Sequence, residues 1–216
     1  STRLPRAIRD VYKRQVQKCV STEEYIIINI SMKFCYRFYV FLTGGIGMNL
    51  REAEEKDFEI IYMMGYDAWG DGLSKPDYLL NCKSSIKYAN GKWYVLENDD
   101  KVLSSSLLIH NLNHLNCGTG LEIRGIGSIS TPIHLRRKGY GSNLIEKTMS
   151  YINRDIPIDI WFLYSDIGAD FYNKLKFEAL PNNFQKRTSS LLMAYCQRNT
   201  WDINTNAPQI EIPNYF

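Results

Sequence analysis

The feature that most constrains this chain is a turn, Arg136-Arg137-Lys138-Gly139-Tyr140-Gly141, set between an extended apolar segment and an amphipathic one. Leu121 to Ser130 reads as a strand, which continues through Thr131-Pro132-Ile133-His134-Leu135 into the turn. Ser142 to Tyr151 reads as a helix, with Leu144, Ile145, Thr148 and Met149 on one side. A strand-to-helix turn with two closely spaced glycines bares several backbone N–H groups at a helix N-terminus. Those amides and the helix dipole favour an anion, and glycine lets the backbone approach a pyrophosphate where a side chain would collide. The run of cations adds attraction for phosphate. A basic, solvated loop whose glycines only make the turn would use the same residues; the flanking strand and helix favour the anion site. His134 reads as a solvated residue of this turn rather than as a base.

The other segments supply a sheet around that turn. Met48–Arg51 is a short strand, and Glu52–Asp57 is an acidic opening that suits the positive end of a helix. Phe58, Ile61, Tyr62, Gly65 and Trp69 then fall on one helical face. Gly70-Asp71-Gly72 ends that helix, and Pro76 opens a second one through Tyr78, Leu79 and Cys82. Lys92–Glu97 and Val102–Leu112 form a hairpin about Asn98-Asp99-Asp100. Ile158–Tyr164 is almost wholly apolar, as a strand covered on both faces should be. A short helix over Ile167–Leu175 and strands at Phe177–Leu180 and Ser189–Cys196 complete the order. The expectation is an α/β fold, a mixed sheet with helices on its faces. Gly125 and Gly127 inside the fourth strand mark a bulge or a close backbone approach.

Charge excludes one class of function. Residues 1–47 hold eight Lys or Arg against three Asp or Glu, so the overall +3 becomes −2 over the remainder. Nothing there argues for nucleic-acid binding. The five cysteines are odd in number and form no Cys-x-x-Cys pair, which supports neither zinc nor a disulfide framework. Buried free thiols of a cytoplasmic protein are expected. His110 and His114 flank Asn113 in an expected loop, without a third ligand, so no metal is expected. The phosphate-loop pattern Gly-x-x-x-x-Gly-Lys-Ser/Thr and the dinucleotide fingerprint Gly-x-Gly-x-x-Gly are both missing, which disfavours a nucleotide site.

The spacing Arg-x-x-Gly-x-Gly, preceded by Thr131-Pro132 and followed by Ser142-Asn143-Leu144-Ile145, resembles the coenzyme A signature of the GNAT superfamily of N-acyltransferases. Leu50-Arg51-Glu52-Ala53 with Asp57 looks like that family's first strand and helix start. Ile160–Tyr164 followed by Phe171-Tyr172-Asn173-Lys174-Leu175-Lys176-Phe177 looks like its second cofactor-side motif. The resemblance covers roughly Met48 to Cys196. It implies a six- to seven-stranded, mostly antiparallel mixed sheet with helices on both faces, and acetyl-coenzyme A as co-substrate. A substrate amine would attack the thioester directly in a ternary complex. Ile129, Ser130, Thr131, Arg136, Arg137, Lys138, Gly139, Tyr140, Gly141 and Ser142 would hold the cofactor, the fourth and fifth strands splaying so that Gly127–Ser130 meets the pantetheine arm. Tyr172 would protonate the departing thiolate, and Glu122 is the candidate base. The family normally places glycine where Lys176 stands, so a strained helix end is expected there. The alternative is a non-catalytic coenzyme A-binding module on the same scaffold.

The acceptor is expected to be a small-molecule or peptide amine, from Asp67, Asp71 and Asp77 with Trp69 and Tyr78, although all are also ordinary helix-end and turn residues. Ser-Ile-Ser-Thr-Pro and Leu-Tyr-Ser-Asp-Ile-Gly look similar to a fungal-type branch that includes lysine N-acetyltransferases. Residues 1–15 resemble translated linker or adapter sequence, and 16–47 read as a leader outside the domain. Residues 48–196 are then the domain, and 197–216 a polar tail without an assigned role. No apolar run reaches the length of a spanning helix, so no membrane partner is expected. A monomer or homodimer is expected.

Overall fold

A computed structural model describes residues 47–116, 120–196, 212–213 and 216. The expected linker and leader up to residue 46, and the tail from 197 to 211, lie outside the described residues. Strand β1 (Asn49–Glu52) leads through a 3-10 turn into α1 (Phe58–Met64) and α2 (Tyr66–Trp69). Then come α3 (Lys75–Lys83), α4 (Ile86–Ala89), β2 (Lys92–Glu97), β3 (Leu103–Asn111) and β4 (Ile123–Ser130). Helix α5 (Tyr140–Asp155), β5 (Ile160–Ser165), α6 (Asp170–Asn173), β6 (Glu178–Ala179) and β7 (Leu191–Cys196) complete the chain order.

The seven strands of the described residues form one sheet in the order β1-β2-β3-β4-β5-β7-β6. Only β4 and β5 run parallel; every other pair is antiparallel. Local chemistry explains the elements. Ser74 accepts the amide of Asp77 as N-cap of α3, with Pro76 in its first turn. Ser85 caps α4 in the same way, a short helix that the apolar pattern had not marked. Leu144, Ile145, Thr148 and Met149 are the buried residues of α5, the face expected from their spacing. Ile160 to Leu163 are all fully buried. Ile160 and Phe162 join one core, whereas Trp161 and Leu163 join the core beneath α5. A third core sets α1 and α3 on β2 and β3, through Ile61, Tyr62, Tyr78, Trp93 and Val95.

Two expectations change. The helix over Ile167–Leu175 contracts to α6 because Gly168 is left-handed (φ +79°) and its carbonyl accepts from Ser165 Oγ at 2.5 Å, a turn rather than a helix. His110 is not in a loop but within the strand expected over Val102–Leu112, as a buried residue of β3. Lys176 takes the left-handed conformation (φ +67°) despite its side chain, so the helix end does not depart from the left-handed cap as its lysine suggested. An L side chain there costs about 1 kcal/mol, so Lys176→Gly is expected to raise the stability measured by urea denaturation by about that amount.

The Arg51 guanidinium ties β1 to two buried carboxylates. It reaches Asp57 at 2.6 and 3.0 Å and Glu97 at 2.7 Å, and Lys101 adds a bond to Glu97 at 2.9 Å. Bonding to Arg51 holds the Asp57 carboxyl below its ordinary value, against the upward push of burial. Burial also pushes Glu97 up, but the bonds from Lys101 and Arg51 outweigh it and hold that carboxyl low. Both folded values lie below the unfolded ones. Their stabilisation is therefore complete above about pH 5 and is lost as pH falls through the folded values. The denaturation midpoint is expected to drop on acidification below 4.5. In Arg51→Met, already weaker at neutral pH because two buried carboxylates lose their cation, much of that acid dependence should vanish.

Candidate active site

Strands β4 and β5 are in register from Ile123–Ile160 to Ile126–Leu163 and then part. Beyond Ile126, β4 stays with β3, but an extra residue intervenes between the Leu108–Gly127 and Ser106–Ser130 pairs. Ser128 carries a φ of +48° at that bulge. A row of hydroxyls fastens the diverging end: Ser105 Oγ donates to the Ser130 carbonyl at 2.8 Å, and Ser106 Oγ lies 2.9 Å from Ser130 Oγ. Ser105 Oγ is also 2.8 Å from Thr131 Oγ1. The gap opens into a cavity of about 450 Å³ roofed by α1 and α2. A wider depression of about 800 Å³ between α5, β1 and Lys174–Lys176 shares neither the turn nor the parting strands.

The turn after β4 passes through a 3-10 segment at Ile133–Leu135 and enters α5 at Tyr140. Arg137 (φ +62°) and Gly139 (φ +83°) are both left-handed. Both lie just before or at the N-terminus of a helix of 16 residues, whose first amides have no acceptor within the helix. Ser142 Oγ donates to the Gly139 carbonyl at 2.9 Å and closes the first turn. A Cβ at Gly141 would make only ordinary contacts, with Thr131 Oγ1 at 3.7 Å and Phe171 at 3.8 Å.

Of the ten residues expected to hold the cofactor, nine line the cavity; Lys138 is exposed and does not. Arg136 is distinct from its neighbours. Its Nε donates to the Thr131 carbonyl at 2.9 Å, and its guanidinium pairs with Asp67 at 2.6 Å, so it latches α2 to the turn. Tyr172 of α6 is buried against Phe171 and Phe177 and lines the cavity. Glu122 is not brought to it. Its carboxylate accepts from Asn113 Nδ2 at 2.8 Å and pairs with Arg124 at 3.0 Å, outside the cavity wall. His134 is exposed beside Pro132, as expected of a turn residue.

The expected acceptor residues divide. Trp69 lines the cavity, but Asp67 is taken by Arg136 and Asp77 by the cap of α3. Asp71 sits in a left-handed turn (φ +52°), and Tyr78 is buried against Tyr66. Tyr164 and Asp166, which the sequence marked only as parts of motifs without a role at the acceptor end, stand there instead with Phe216, which it did not mark. Asp166 accepts from Ser190 Oγ at 2.5 Å. Nearby, burial pushes the Lys87 ammonium down to about 8, Asp166 opposing this and Arg187 adding to it. Burial, with the Lys87 charge, pushes His110 down to about 4, so it is neutral at pH 7 and lies with its ring 6.2 Å from that of Phe216. Cys82 and Cys196 are both buried. Among the described residues no cluster of His, Cys, Asp and Glu could hold a metal ion, and no helix is long and apolar enough to cross a membrane.

The family model described as an acetyltransferase (GNAT) domain matches residues 49–180. No curated protein matches the chain in sequence. Among solved structures, a spermidine N-acetyltransferase from Vibrio cholerae superposes with a TM-score of 0.54 at 14% identity, over 72% of this chain and 96% of that one. A GNAT-family acetyltransferase from Staphylococcus aureus Mu50 gives 0.50 at 14% identity, over 69% of this chain and 99% of that one. At these identities the likeness is one of fold.

Proposed function

The chain belongs to the GNAT acetyltransferases, and from that premise we propose that it moves an acetyl group from acetyl-coenzyme A directly to a primary amine held in the same cavity. The observation that carries this reading is that the parting strands β4 and β5, the left-handed turn at Arg137 and Gly139, and Tyr172 all border one cavity. The turn supplies amides and the start of the α5 dipole for a pyrophosphate. The unpaired edge of β4 from Gly127 to Ser130 supplies backbone groups for the amide-bearing arm that follows. This arrangement would point the thioester into the gap.

In the reaction the amine nitrogen attacks the thioester carbonyl carbon, the C–S bond breaks, and the sulfur leaves with its electron pair. Tyr172 donates its phenolic proton to that sulfur, and the proton the attacking nitrogen sheds as the amide forms returns, through water, to the phenolate. The amine must arrive uncharged or lose its proton on the way. With Glu122 held outside by Asn113 and Arg124, that proton is proposed to leave to water, which makes the rate rise with the free-amine fraction. Acceptors of the polyamine and alkylamine type fit this reading. The test follows free thiol released from acetyl-coenzyme A with and without a panel of primary amines between pH 6 and 9. Amine-dependent release that increases with pH supports the proposal. Saturable acetyl-coenzyme A binding without release to any amine favours the coenzyme A-binding module instead.

A further inference from the structure

Phe216 stands far from the turn in sequence, yet it is buried and lines the same cavity. Its seat is made by two glycines of β4. A Cβ on Gly125 would meet the Phe216 ring at 2.5 Å, and a Cβ on Gly127 would meet the Phe216 carbonyl oxygen at 2.7 Å. The bulge and the close approach expected of these glycines are therefore both present, and what approaches is this residue. Tyr164 packs on the ring with centroids 5.4 Å apart, and its hydroxyl donates to the Pro213 carbonyl at 2.6 Å. Lys186 Nζ donates to the Ile212 carbonyl at 3.1 Å, and Ile212 is buried in the core beneath β5. Phe216 is thus anchored at the point where β4 leaves β5.

We propose that Phe216 is the specificity-determining wall of the acceptor end, limiting the amine to a slim, unbranched primary alkylamine. This rests on the acetyl-transfer reading of the same cavity. Trp69, Tyr164 and Phe216 supply aromatic surface to a cationic chain, and Asp166 is the one acidic side chain among the lining residues. A group branched beside the nitrogen would meet the Phe216 ring before the nitrogen reached the thioester. The same ring keeps water from the thioester.

The test compares the wild-type chain with Phe216→Ala and Gly125→Ala, which displaces the ring without altering it. Each is assayed with cadaverine and with a branched amine, 2-aminobutane, and for hydrolysis of acetyl-coenzyme A to acetate and free thiol without any amine. Both variants should raise the kcat/KM ratio of 2-aminobutane to cadaverine by about tenfold or more. Hydrolysis should rise severalfold, while the KM for acetyl-coenzyme A stays unchanged. Combining the substitutions should add little to Phe216→Ala alone, since both empty one seat. Equal loss on both amines with no rise in hydrolysis, in variants whose melting shows them folded, would overturn the proposal. If no amine is acetylated by any form, the acetyl-transfer reading fails; hydrolysis then still reports on the wall, rising if Phe216 shields the thioester and unchanged if it does not.

Discussion

Replacing Gly139 by glutamate is expected to weaken acetyl-coenzyme A binding by at least about a hundredfold, close to 2.8 kcal/mol. Two effects add. Gly139 is the N-cap of α5 at a φ of +83°, where an L side chain costs about 1–2 kcal/mol. The new carboxylate would also sit at the helix N-terminus, taking the dipole and the exposed amides that the pyrophosphate needs. The fold should survive, because a Cβ at this position meets nothing closer than Ser142 Oγ at 3.9 Å. Gly139→Ala separates the contributions, since it keeps the strain and adds no charge. Calorimetry should place it between the wild type and the glutamate variant. Equal affinity of all three would remove the turn from the binding site.

Tyr172→Phe is expected to lower kcat by about a hundredfold while the dissociation constant of acetyl-coenzyme A changes by less than about twofold. The ring would remain packed between Phe171 and Phe177, so only the hydroxyl is lost. A thiolate leaving without a proton is a poorer leaving group, and the loss should be larger for the strongly basic thiolate of coenzyme A than for an aryl thioester of low thiol pKa. That contrast is what a structural role would not produce. An unchanged kcat would mean that the sulfur takes its proton from water or from another group.

Local signals in the chain proved dependable. The four residues Leu144, Ile145, Thr148 and Met149 fix the face of α5 by their spacing, and that face is buried. The apolar run at Ile160–Leu163 reads as a strand between two layers, and it joins two cores. The glycines of the turn and the lysine at position 176 announce unusual backbone, and Gly139 and Lys176 are both left-handed. What escaped was long-range. Asp67 looked available for an amine because its partner Arg136 lies 69 residues away, and pairing across that distance leaves no periodic trace. The strand expected over Val102–Leu112 already contains His110, and burial keeps that residue neutral inside β3. Phe216 was hidden, like the pairing of Asp67 with Arg136, by its distance in sequence. Gly125 and Gly127 said that something comes close, but a glycine does not name its neighbour. Glu122 was chosen for its position near the start of the fourth strand, and only the hydrogen bonds from Asn113 and Arg124 show where its carboxylate is held.

The central claim is a coenzyme A thioester site built on the turn between β4 and α5, and calorimetric titration of the full chain tests it most directly. Acetyl-coenzyme A should bind saturably to a single site, and ATP, titrated identically, should give no saturable heat. A folded sample that takes up no acetyl-coenzyme A, or that binds ATP equally well, would contradict the account.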